Sequence, residues 1–206
     1  MLTRVEKMVT SGASTAKTVS AIASTIGNIM GMINVEKKFL DTAASGTIPN
    51  TGTIGILSLI AQGNGDSQRN GNQVLFKDIT LRLDVSRSTS ATFTSARVML
   101  ICDKEYDGAN PAVANVLQTT TPQSPINRDY SKRFVILKTH NMILDSSKES
   151  EFMNWHIKLP FHVFYDGANA SQADSKENQI LLLMIADQAT NVPSYRYYSR
   201  INYVDN

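Results

Sequence analysis

Two hydrophobic periods divide the chain. Val19, Ile22, Ile26, Ile29, Met30 and Ile33 recur at spacings of three and four, which places them on one stripe of a 3.6-residue helix. Ser14 is the candidate cap at its start. Within the same stretch Ala23, Gly27 and Gly31 are spaced by four, a line of small residues along which another backbone can approach closely. Glycine costs a helix roughly 1 kcal/mol against alanine, so two on one line point to packing, either on sister helices or on the chain's own domain. Residues 1–45 are therefore expected to form an N-terminal amphipathic α-helical arm. The charged cluster Glu36-Lys37-Lys38 follows, then a turn-rich linker from Thr42 to Thr53 containing Gly46, Pro49 and Gly52.

Beyond the linker the period falls to two, and apolar runs follow one another with turn residues between them. Strands are expected over Thr53–Ala61, Gln73–Arg87, Ala91–Asp103, Arg133–Asp145, Glu151–Pro160, Gln179–Asp187 and Tyr195–Val204, with an eighth around Tyr130–Leu137. In the second, Leu75, Ile79, Leu81, Leu83 and Val85 point one way while Asp78, Thr80, Arg82, Asp84 and Ser86 point the other. A short helix is expected near Pro111–Leu117, inside the long excursion Lys104–Asp129. The fold class is all-β: a single eight-stranded jelly-roll sandwich over residues 46–206. The run from Ile180 to Ile185 is apolar on both faces. A two-layer sandwich leaves one face of such a strand wet, so something must cover it, and another subunit is the expected cover.

Composition narrows the function. The 206 residues are 42% hydrophobic and 18% charged, with 20 Lys and Arg against 18 Asp and Glu, a formal net charge of +2. This is the balance of a folded domain and lacks the cationic excess of a dedicated nucleic-acid binder. One cysteine, Cys102, leaves no disulfide framework and no multi-cysteine metal site. Arg4 and Lys7 ahead of a Ser/Thr/Ala stretch look like an export signal, but Ser20, Ser24, Thr25 and Asn28 interrupt its apolar residues. No window approaches the roughly 18 continuous apolar residues of a membrane helix, and without an export route Asn169-Ala170-Ser171 is simply a polar loop. His140, His156 and His162 lack metal-binding spacing. No nucleophile elbow, Walker loop or dinucleotide fingerprint occurs. The loop Gly63–Asn72 imitates the start of an EF-hand at Asp66, Gln68, Asn70 and Gly71, but Lys77 stands where the bidentate glutamate is required.

The phrase from Ile60 to Val74, strand then Gly/Asn-rich loop then strand, resembles the coat proteins of the satellite tobacco necrosis virus family and the related capsid proteins of small circular single-stranded DNA viruses. Lys132–Lys138, Ile157–Pro160, Met32–Leu40 and Tyr203-Val204-Asp205 agree in order and position. The resemblance implies a jelly-roll capsid subunit that assembles with itself. Sixty copies would close a T=1 icosahedral shell, with the N-terminal helices gathered inside at the threefold axes. It further implies viral single-stranded nucleic acid as a partner, contacted by Arg4, Lys7, Lys17, Lys37 and Lys38. The family's strongly basic arm is missing here: residues 1–52 hold five basic against three acidic residues, and residues 53–206 hold fifteen of each. Sixty copies bring about +120, against about 618 phosphates in a genome just long enough to encode the chain. Nucleic-acid binding is accordingly expected to be weak and salt-sensitive, with other cations or a further basic extension completing neutralisation. The resemblance also implies calcium at subunit interfaces, held by Glu36, Asn70, Gln73 and Asp205. Carboxylates converging on a boundary repel one another without such a cation.

A lectin-like β-sandwich using Tyr195, Tyr197, Tyr198, Tyr203 or Trp155 for stacking is the alternative, and a hydrolase on the same scaffold ranks last for want of a nucleophile–base pair. The loops Asp103–Arg128 and Asp166–Asn178 are expected to face outward and carry host contacts, the receptor itself being unspecified.

Overall fold

The computed structural model describes residues 36–205. Eight strands, β1 (Glu36–Thr47), β2 (Thr53–Ile56), β3 (Gln73–Ser86), β4 (Thr94–Asp103), β5 (Phe134–Leu144), β6 (Ser150–Phe164), β7 (Gln179–Ala186) and β8 (Ser194–Asp205), form two antiparallel sheets ordered β1-β8-β3-β6 and β2-β7-β4-β5. This is the jelly-roll arrangement, in which successive strands alternate between two packed layers except at β4 and β5, which pair within one sheet. The only helical pieces among the described residues are α1 (Val113–Val116) and a 3₁₀ turn at Arg128–Tyr130. The amphipathic helix expected over 14–33 lies outside the described residues.

Seven strands fall where the period-two pattern places them; the eighth does not. Tyr130–Leu137 holds the 3₁₀ turn and the start of β5. The missing strand is β1, within the segment taken as the end of the helical arm and its linker. Its composition is poor in strand formers, and its partner compensates. It pairs with β8 along its whole length, from Glu36 opposite Asp205 to Thr47 opposite Ser194, with a Thr42–Ser199 hydroxyl contact of 2.6 Å. Gly46 serves as floor for a ring, since a Cβ there would lie 3.2 Å from Tyr195. What looks like a turn glycine is a packing glycine.

A second correction concerns register. Lys77 is bulged out between Phe76 and Asp78, so Val74 and Phe76 share the core face with Ile79, Leu81, Leu83 and Val85, and Leu75 does not. One extra residue reverses the alternation, the ordinary consequence of a bulge. Strand β6 meets the same irregularity at Leu159-Pro160 and runs on to Phe164. Proline is tolerated there because β6 is an edge strand.

Two apolar clusters result. The larger fills the space between the sheets, with Phe76, Leu81, Leu100, Leu159, Leu182 and Tyr203 among its members. The smaller lies on the outer face of the β2-β7-β4-β5 sheet, where Met99, Ile101, Leu181, Leu183 and Ile185 meet Tyr106, Val116, Leu117 and Phe134. The doubly apolar strand is therefore covered by its own chain, not by a neighbour. Each large side chain buried this way contributes about 2 kcal/mol. Polar fasteners hold the cover down. Arg133 forms two 2.7 Å bonds to Asp103, Arg97 donates to the Ser124 carbonyl at 2.6 Å, and Asn110 donates to the Ile54 carbonyl at 2.9 Å. The excursion 104–129 is thus a lid with an apolar underside.

Candidate functional site

The residues assigned to a cation converge at the joint where β1 starts and β8 ends. Register sets Glu36 opposite Asp205, and alternation brings Lys38 to the same side two residues on. Asp205 Oδ2 accepts from the Asn70 amide at 2.6 Å and from Lys38 Nζ at 3.1 Å. The same ammonium lies 3.1 Å from Glu36 Oε2. Lys38 and Asp205 are each only 3% exposed. Burial pulls the Lys38 pKa down, but the hydrogen bonds and charges of Asp205 and Glu36 outweigh it, and the net displacement is upward from 10.5. The glycine-rich loop is strapped over the joint: Phe39 donates its amide to the Asp66 carbonyl at 3.2 Å, and the Tyr203 hydroxyl reaches the Gln68 carbonyl at 2.9 Å. Buried Arg69 organises that loop, donating to the carbonyls of Ile60, Gly71 and Gly167 and lying 4.4 Å over the Tyr165 ring.

Three of the four residues assigned to calcium are brought together, but the cation between the carboxylates is the chain's own lysine. The Asn70 carbonyl, the oxygen a metal would take, accepts from Gln62 Nε2 at 2.8 Å. Gln73 opens β3 opposite Phe164 and makes no bond into the cluster among the described residues. The set does not fit a calcium shell as it stands, although Asp205 Oδ1 is buried without a hydrogen-bond partner. Lys38, assigned to nucleic acid as well, is withdrawn from solvent and cannot reach a phosphate. Lys37 beside it is exposed. Arg4, Lys7 and Lys17 lie outside the described residues.

No described residue covers the outer face of the β1-β8-β3-β6 sheet. Its cross-strand rows read Phe39, Asn202, Asp78, Lys158; then Asp41, Arg200, Thr80, His156; then Ala43, Tyr198, Arg82, Asn154; then Ser45, Arg196, Asp84, Phe152. Tyr198 and Phe152 are 60% and 65% exposed. Arg200 is held by two 2.6 Å bonds to Asp41 and lies 4.7 Å over the Phe39 ring. A shallow groove of about 480 Å³ is lined by Asp41, Ala43, Thr80, Arg82, Tyr198 and Arg200. The sequence reading placed Thr80 and Arg82 on a polar face, named Tyr198 only for lectin-like stacking and left Asp41 and Ala43 in the arm and linker, so it did not join them into one site. Only the strand order sets Arg82 of β3 beside Tyr198 of β8.

The remaining candidates are structural. Trp155, Tyr197 and Tyr203 are buried, so of the aromatics considered for a lectin platform Tyr198 alone stands clear of the core. Burial pushes the Cys102 thiol up to about 12, well away from reactivity. His140 bonds Glu151 at 2.8 Å. Among the described residues no three His, Cys, Asp or Glu side chains gather to hold a metal, and no helix is long and apolar enough to cross a membrane.

A family model described as satellite tobacco necrosis virus coat protein matches residues 9–206. The chain belongs to that family. A viral coat protein fold accounts for a site-poor interior and for a chain that devotes its sequence to surfaces. A search of curated protein sequences returns no significant match. Solved structures with some likeness include the naturally occurring empty particles of cowpea mosaic virus, with 13% identity over 82% of this chain and 86% of that one and a TM-score of 0.40. The capsid of cyanophage Pam1 shows 13% identity over 84% and 86%, with a TM-score of 0.34. Pili of Bacillus endospore appendages come as near, with 7% identity over 84% and 92% and a TM-score of 0.33. Such likenesses are too loose to bear on function.

Proposed function

We propose that the chain is the structural subunit of a small virion, closing as sixty copies into a T=1 icosahedral shell around a single-stranded genome. The observation that carries this is the coat-protein family match over residues 9–206, which takes in every strand of the sandwich. Exposed apolar side chains support it. Phe93, and Val135 and Ile143 of β5, are exposed outside the β1-β8-β3-β6 sheet, apolar surface that contacts between copies would bury. The doubly apolar strand gives no such support, since the lid covers it. Cargo contact is weak and salt-sensitive, with the N-terminal cations Arg4, Lys7 and Lys17 contributing alongside Lys37. Negative-stain microscopy and sedimentation of the purified chain test the assignment. Uniform closed particles are expected; a monomer persisting at high concentration in every assembly buffer overturns it.

At the β1–β8 joint, the cation in this account is Lys38 rather than calcium. An ammonium between Glu36 and Asp205 removes the repulsion that a divalent ion would otherwise relieve, so chelation is expected to leave particles intact.

A further inference from the structure

We propose that the outer face of the β1-β8-β3-β6 sheet binds single-stranded nucleic acid, with Tyr198 as a stacking platform and Lys37, Arg82, Lys158 and Arg196 as phosphate contacts. The proposal rests on the shell-subunit assignment, which supplies the polyanion. It differs from the N-terminal contacts in place and mode of binding and shares only Lys37 with them.

Charge complementarity names the occupant. Lys37, Arg82, Lys158 and Arg196 have no carboxylate partner among the described residues, whereas the face's own acids are hydrogen-bonded. Asp41 is taken by Arg200, Asp78 accepts from Asn202 at 2.7 Å, and Asp84 accepts from Ser86 at 3.3 Å. Asn202 and Ser86 are neutral, so Asp78 and Asp84 keep their charges; the face is cationic because its five cations, Arg200 included, outnumber Asp41, Asp78 and Asp84. Placement does the rest. Arg196 and Arg200 flank Tyr198 two residues away on β8, roughly 7 Å along the strand, while Arg82 stands beside it on β3, about 5 Å across. Ala43, its other neighbour, is short, and the groove opens there. A base laid on the Tyr198 ring would have its phosphates within reach of an arginine on either side, the combination by which sequence-tolerant single-strand binders work.

The test is fluorescence anisotropy of a labelled oligothymidylate added to the full chain before shell closure, titrated with salt, with negative-stain microscopy of each variant alongside. Arg82→Gln combined with Arg196→Gln is expected to weaken binding at least tenfold and to flatten the slope of log K against log salt by about 1.4, at 0.7 per lost contact. Tyr198→Ala is expected to weaken binding about tenfold with the slope unchanged, the signature of lost stacking. Arg128→Gln, on the 3₁₀ turn over the opposite sheet, is expected to change neither. Unaltered affinity and slope in the double variant overturn the proposal. So does loss of particles with oligonucleotide binding intact, which makes the face a subunit contact. If the unmodified chain forms no particles yet the variants shift binding as stated, the surface stands and the shell assignment fails.

Discussion

The two outer faces of this sandwich solve the same problem in opposite ways. The β2-β7-β4-β5 face is apolar, and the chain spends the excursion between β4 and β5 on covering it, so Leu181, Leu183 and Ile185 end fully buried. The β1-β8-β3-β6 face carries alternating charged and aromatic residues and has no cover from the described residues. An apolar face that is closed by its own chain needs nothing further. A charged face that the described residues leave uncovered, with more cations than acids, is the one we assign to a partner. Exposure on this molecule is therefore informative on one side only.

Perturbing the covered face is expected to have the largest effect. Leu117→Ala empties a fully buried position in the lid and should cost about 3 kcal/mol, read as a drop in melting temperature. Tyr198→Ala on the charged face should cost less than about 0.5 kcal/mol. Equal losses would erase the distinction between the faces.

The joint comes next. Lys38→Met leaves Asp205 buried without its cation and is expected to destabilise the chain by about 3 kcal/mol. Because the Lys38 pKa is raised on folding, its contribution is fully present below the unfolded value of 10.5 and is lost as pH climbs through the higher folded value. The unmodified chain should thus lose stability on that alkaline limb, and Lys38→Met should flatten it. A chelator should shift neither melting curve; a fall in the unmodified chain's melting temperature on chelation restores calcium to the joint.

Gly46→Ala should have a smaller effect, about 1 kcal/mol, because the Tyr195 ring at 3.2 Å must give way by a few tenths of an ångström. A neutral result would mean that the edge strand β1 adjusts freely. Smallest is Glu151→Gln. Burial raises the Glu151 pKa, but Lys148 and His140 outweigh it and hold the carboxyl below its usual 4.5. Its contribution is present above that value and fades as pH falls through the folded one, so the variant should differ from the parent in melting temperature at neutral pH and converge with it in acid.

Much of the sandwich was legible because most strands bury one face and expose the other, and alternation records that directly. Strand β1 was not, because Thr42, Ala43, Ala44, Ser45 and Gly46 carry little hydrophobic signal, and their strand conformation comes from β8. The bulge at Lys77 escaped for a related reason: a single inserted residue leaves local composition unchanged while inverting Val74 to Phe76. At the joint, Glu36, Asn70 and Asp205 were named together only through the resemblance to the satellite virus coat proteins, since no local pattern links them. The lysine between them was visible in the sequence but was assigned to phosphate, since nothing local shows that Lys38 points inward. The Tyr198 cluster required knowing that β8 runs beside β3, a fact of topology absent from either strand alone.

The most direct measurement is an electron cryo-microscopy reconstruction of particles assembled from the full chain with nucleic acid. The account predicts a closed shell of sixty subunits with the lid over Leu181 and Leu183 facing out and cargo density against Tyr198 and Arg82. A shell with the lid turned to the lumen, or no shell at all, contradicts it.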